Sequence, residues 1–143
     1  MKKQGLILAC LLCATMAVQA AGNLPQGKWT VTQVTIAKSI DGNLQTTVYN
    51  SPAEVKGYIP CMMEWEVNGS NITLRYPNGR KESASYTLDG NNLTIKTATA
   101  SRKYQYSISG NTITLTAMHN YRNNLSGGQV QQIKENWTLI LTN

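Results

Sequence analysis

From Gly27 onward the chain alternates apolar and polar residues in short runs, and clusters of Gly, Asn and Asp interrupt them. An alternation of period two sends every second side chain to the same face of an extended strand. Short strands broken by turn residues every ~8–12 positions predict an antiparallel sandwich or barrel. No window carries a helical stripe. Only Ser51 to Gly57 could hold a turn of helix, with Ser51 as its cap and Pro52 in the first helical position.

The same pattern recurs three times. The copies are Glu64–Leu74, Ser85–Ile95 and Gln105–Leu115, offset by 21 and 20 residues. Each reads polar, aromatic, polar, aliphatic, a turn with Gly in its second position, then aliphatic-Thr-aliphatic. Each copy predicts one hairpin, whose Gly takes the positive φ that a tight loop needs. The expected pairs are Val67 with Ile72, Leu88 with Leu93 and Ile108 with Ile113. Further strands are expected at Lys28–Ile36, with a bulge before Val34, at Leu44–Tyr49 and at Asn136–Leu141. Nine strands cannot close with every neighbour antiparallel. Either one lies outside the closed barrel, or a tenth exists near Val130 to Ile133. The prediction is an all-β domain: an up-and-down meander closing into a barrel of 8–10 strands.

Residues 1–20 read as a processed leader. Lys2 and Lys3 precede an uncharged, mostly apolar run from Leu6 to Val18, which is too short to span a bilayer. Small residues around Val18-Gln19-Ala20 fit cleavage after Ala20. The organisation expected is thus a signal peptide, 1–20, and one domain, 21–143, in an exported protein of the periplasm or cell exterior. Lipid anchoring at Cys10 or Cys13 fits less well: the apolar stretch before Cys10 is short, and Leu11 and Leu12 precede Cys13. No membrane span is expected. Without the leader, 11 Lys and Arg face 7 acids, a formal charge of +4. That modest charge on an exported domain argues against nucleic acid as a partner.

Candidate chemistry is sparse. Cys61 is the one cysteine outside the leader, so no internal disulfide can form. It opens an apolar face with Met63, Trp65 and Val67 and reads as a buried, inert thiol. A nucleophilic Cys would need a partner base, and His119, the single His, lies far along the chain. No catalytic set, metal-ligand cluster or phosphate loop is visible. No cofactor is expected and the sequence points away from an enzyme. The Asn-X-Ser/Thr matches at Asn71, Asn92, Asn124 and Asn136 are chance in a Thr-rich β protein.

Two features suggest binding. Trp65, Tyr86 and Tyr106 fall at matched heights in the three hairpins. On the inward face they either fill a narrow core or line the inner end of a pocket, with Met63, His119 and Tyr121 along the same interior. Buried Tyr hydroxyls would need partners there. Charge is uneven as well. The tight turns near 68–71, 89–92 and 109–112 share one end and carry only Asp89. The other end carries Arg80, Lys81, Arg102, Lys103 and Arg122. Those cations either keep the surface soluble or attract an anionic partner.

Gly27-Lys28-Trp29 opens the first strand, and Trp137-Thr138-Leu139 lies in the last. A Gly-X-Trp triplet before a β-meander resembles the lipocalin-like, calycin-type exported barrels of Bacteroidetes. The resemblance implies a barrel with Trp29 at its closed end and a small ligand entering opposite. Lipocalins also place an Arg after the last strand, against the Gly-X-Trp indole; this chain ends Trp137-Thr-Leu-Ile-Leu-Thr-Asn143 and has none, so Trp29 lacks that cation–π partner. Tracing the meander back puts Trp29 at the basic end, so family rule and charge point to opposite mouths. Two functions are expected to compete. One is a carrier of a small apolar or amphipathic molecule in the barrel interior. The other is a protein-binding module, such as a protease inhibitor, acting through loops or an N-terminal arm, Ala21 to Gln26.

Overall fold

Tight turns organise the sheet. The computed structural model describes residues 23–55 and 61–143; the expected leader, 1–20, and the first residues of the expected arm lie outside them. Three loops of two residues carry Gly69, Gly90 and Gly110 with φ of 63°, 57° and 57°. A positive φ at the first loop position is what a type II′ hairpin turn requires, and it matches the twist of the flanking strands. Their registers are those the repeat predicts: Val67 opposite Ile72, Leu88 opposite Leu93, Ile108 opposite Ile113.

The fold is all-β, with nine antiparallel strands among the described residues: β1 (Gly27–Ile40), β2 (Asn43–Tyr49), β3 (Glu64–Asn68), β4 (Asn71–Arg75), β5 (Lys81–Asp89), β6 (Asn92–Lys96), β7 (Ser101–Ser109), β8 (Thr112–Asn124) and β9 (Val130–Thr142). Eight of them close into a barrel, because β1 pairs with β3 on one edge and β9 on the other. The ninth, β2, stays outside. It pairs only with the far half of β1, from Val34 to Ile40. There β1, β8 and β9 run past the barrel rim, and with β2 they form a four-stranded flap in the order β2-β1-β9-β8. Residues 130–133 begin β9 and form no tenth strand. The bulge expected in β1 falls between Val31 and Gln33. The short helix is a single 3-10 turn, Pro52–Glu54, with the Ser51 hydroxyl accepting from the Ala53 N–H.

The position of β2 corrects the direction of β1. Counting β2 as a barrel strand places Trp29 at the basic end. With β2 outside, β1 is directly antiparallel to β3, and Gly27 lies opposite Val67, beside the 68–71 turn. Trp29 therefore sits at the tight-turn end. Closure and charge no longer conflict: the tight turns form the closed end, and the other end carries the cations.

The closed end is sealed by the start of the chain. Leu24 is buried, and its N–H donates to the Tyr86 hydroxyl, which itself donates to the Gly69 carbonyl. Trp29 Nε1 donates to the Pro25 carbonyl, and the Gln26 side chain brackets Gly69, accepting from its N–H at 2.6 Å. Beneath this plug lie Trp29 and Trp65, directly opposite each other, with Ile72, Leu93, Ile113, Leu115 and Leu141. The plug is tied to the first two hairpins. Ile108, at the tip of the third, remains 40% exposed.

Candidate functional site

At the open end the barrel wall parts. β7 pairs with β8 only from Gln105 to Ser109, whereas Ser101–Tyr104 pair with β6 alone and the strand β8 above Thr116 pairs with β9 alone. A cavity of about 600 Å³ occupies the opening. Its apolar wall is built by Met62, Tyr104, Ala117, Trp137 and Leu139; Ser101, Arg102, Lys103 and His119 supply polar groups, with Lys103 exposed at the edge. Alternation explains who points in. Arg102 and Tyr104 lie opposite Ile95 and Leu93, both buried inward residues, and Ala117 lies opposite Trp137. A mostly apolar concavity with a few polar groups is how small-molecule sites are made.

Cys61 lines this cavity and a smaller one of about 340 Å³ beside the 3-10 turn. It is buried, and burial pushes its thiol up from 9.0 to about 11 against the lowering effect of Arg102. Burial likewise raises the Tyr104 and Tyr76 hydroxyls, and the Arg102 guanidinium pulls each of them down. One cation thus acts on three groups of the mouth. A thiol with so high a pKa is a poor nucleophile at neutral pH.

The candidate residues divide between the two ends. Trp65, Tyr86 and Tyr106 are buried near the closed end and form no part of the cavity wall. Tyr86 meets its polar need through Leu24 and Gly69, while Trp65 Nε1 is the one buried side-chain nitrogen or oxygen without a partner among the described residues. Met63 is half-buried beside the bulge, where its N–H donates to the Arg75 carbonyl. His119 reaches the cavity but is largely exposed, its ring 5.4 Å from that of Tyr121. Tyr121 donates to Glu135, which also accepts from Trp137 Nε1 at 2.9 Å and pairs with Lys38 at 3.7 Å. Glu135 thereby fixes one wall of the flap.

The five cations of the basic end are dispersed. Arg102 turns into the cavity, and Lys103, next along the strand, is exposed. Arg80 stacks on Tyr76 at 4.5 Å and pairs with Glu82. Lys81 and Arg122 are exposed, the latter on the flap, in the alternate set to His119 and Tyr121. Among the described residues no group of three His, Cys, Asp or Glu side chains could hold a metal ion, and no helix is long and apolar enough to cross a membrane. The segment Leu24–Gln26 of the expected arm is committed to the plug.

Sequence reasoning did not select Met62, Tyr104, Trp137 or Leu139. Tyr104 shares the parity of Tyr106 and was accessible to the same argument. Trp137 and Leu139 reach the cavity only through the pairing of β9 with the long β8, which no local signal encodes. Compared with protein families, with curated proteins and with solved structures, the chain finds no match.

Proposed function

We propose that this is an exported binding protein that holds a small apolar or amphipathic molecule in the open-end cavity. One observation carries the reading: a concavity of about 600 Å³ with a largely apolar wall, set where the barrel strands part. That volume falls within the ~300–1,000 Å³ range of small-molecule sites. Trp137, held by Glu135 through its Nε1, offers a flat apolar surface whose orientation is fixed before any ligand arrives. Preorganisation of that kind reduces the ordering cost of binding. The order of charge, apolar run and small residues in 1–20 supports export. The resemblance to lipocalin-like barrels agrees with a carrier. The competing protein-binding reading works through loops or an N-terminal arm, and of that arm Leu24 is buried in the plug.

The test is titration with N-phenyl-1-naphthylamine, an uncharged probe whose fluorescence rises in apolar surroundings. Saturable binding of one probe per chain is expected. It should be lost in Ala117→Trp, which fills the cavity from its wall, while the thermal transition remains cooperative. Absence of saturable binding to the unaltered protein would overturn the proposal.

A further inference from the structure

Arg102 is set apart from the other cations of the mouth because it alone is half-buried, and it has no carboxylate beside it. Four ion pairs form among the described residues: Lys28 and Arg75 with Glu64, Lys38 with Glu135, and Arg80 with Glu82. Arg102 enters none of them. All seven Asp and Glu of the chain lie within the described residues, and none pairs with Arg102. Yet Arg102 is half-buried and its strand position turns it inward, opposite the buried Ile95. A cation taken partly out of water without a counter-charge carries a desolvation cost that an anion would relieve.

Neighbouring groups make the position more specific. Tyr104, two residues on along the same face, lies next to the guanidinium. Cys61 and Met62 close the side toward β3, and Ala117, Trp137 and Leu139 extend away as an apolar wall. A positive fork at one side of an apolar concavity matches a molecule with one anionic head and an apolar body. The planar guanidinium suits a carboxylate in particular, since its parallel N–H groups meet both oxygens at once.

From this placement we infer that the open-end cavity takes a carboxylate-bearing amphiphile, with Arg102 holding its head group and the Met62, Trp137 and Leu139 wall covering its apolar body. The inference rests on the cavity reading above and narrows it to a ligand class. It also gives Arg102 a role distinct from that of the solvated cations Lys81 and Arg122.

Two ligands of equal chain length separate head from body: dodecanoate and dodecanol, both below their aggregation limits, measured by displacement of N-phenyl-1-naphthylamine. Dodecanoate should bind the unaltered protein about ten-fold more tightly than dodecanol, the scale expected of one charge-assisted contact. Arg102→Met should abolish that preference by weakening dodecanoate about ten-fold, and a cooperative thermal transition shows that the variant folds. Lys81→Met, which removes an exposed cation of the same end that does not line the cavity, should retain the preference. Equal binding of both ligands to the unaltered protein would overturn the inference while the cavity reading stands. A preference that survives Arg102→Met would overturn it too. If the probe binds and neither ligand displaces it, the amphiphile class is wrong; if the probe itself does not bind, both readings fall together.

Discussion

The two ends of the barrel use the same alternating strands but are completed by different parts of the chain. At the closed end, backbone does most of the work: three Gly turns, the carbonyls of Pro25 and Gly69, and the N–H of Leu24 engage the aromatic side chains. At the open end, side chains meet side chains, as in the Glu135 cluster and the Arg80–Tyr76–Glu82 clamp. Backbone groups held by turns have few alternatives. Long side chains at a rim can exchange a protein partner for water or for a ligand at little cost. Stability is therefore concentrated at the turns, and adaptability at the mouth.

Truncating one indole at each end gives the largest test of that contrast. Trp65→Ala should cost about 3–5 kcal/mol, because the residue is fully buried and its neighbours cannot collapse around the void. Trp137→Ala, at a half-buried position, should cost roughly 1–2 kcal/mol. Urea unfolding with an unchanged m-value measures both. Equal losses would remove the distinction between the ends.

A smaller effect tests the mouth by pH. The Cys61 thiol titrates near 9.0 when unfolded and near 11 when folded, so the folded state holds the extra proton between those values. The contribution of Cys61 to stability should be constant below pH 9 and fall as pH rises from about 9 to 11, by at most about 3 kcal/mol. Cys61→Ala should flatten that window, leaving only the decline owed to other groups. An unchanged slope in the variant would show that the thiol is not held away from water.

The smallest contrast is a pair of hydroxyl deletions. Tyr86→Phe leaves the buried Leu24 N–H without its partner and should cost about 1–3 kcal/mol. Tyr104→Phe, at the mouth, should stay within about 0.5 kcal/mol of the unaltered protein. The same unfolding measurement reads both, and a reversed order would mean that the plug contributes nothing.

The hairpins were legible because a two-residue Gly turn and a strict alternation fix register locally: once Gly69 is the turn, Val67 must face Ile72. The same alternation gives His119 the parity of Ile113, Leu115 and Ala117, yet His119 is exposed. Alternation could not say how deep each residue lies. Trp65, Tyr86 and Tyr106 share a height, but whether that height is core or pocket depends on Leu24, whose seat on Tyr86 joins residues 62 positions apart. The direction of Trp29 failed for a related reason. Whether β1 meets β2 or β3 first is a long-range choice, and the chain makes both, one on each half of the strand. Arg102 was visible as one of five cations. Its distinction, half-burial in the cavity wall with no acid beside it, depends on the register of β7 against β6 and on where the folded chain places its seven acids.

Asn143 also lies at the plugged side. It donates from its backbone N–H to the Asn111 carbonyl, in the loop joining β7 to β8, and its side chain lies close to Gly27. A tether attached there would hold the molecule by its base, with the cavity facing the bulk solution. For surface-immobilised measurements this sets the choice of anchor: capture through a carboxy-terminal tag leaves the mouth unobstructed. Random coupling through lysines would fasten some copies by Lys81 or Lys103 and turn their openings toward the support.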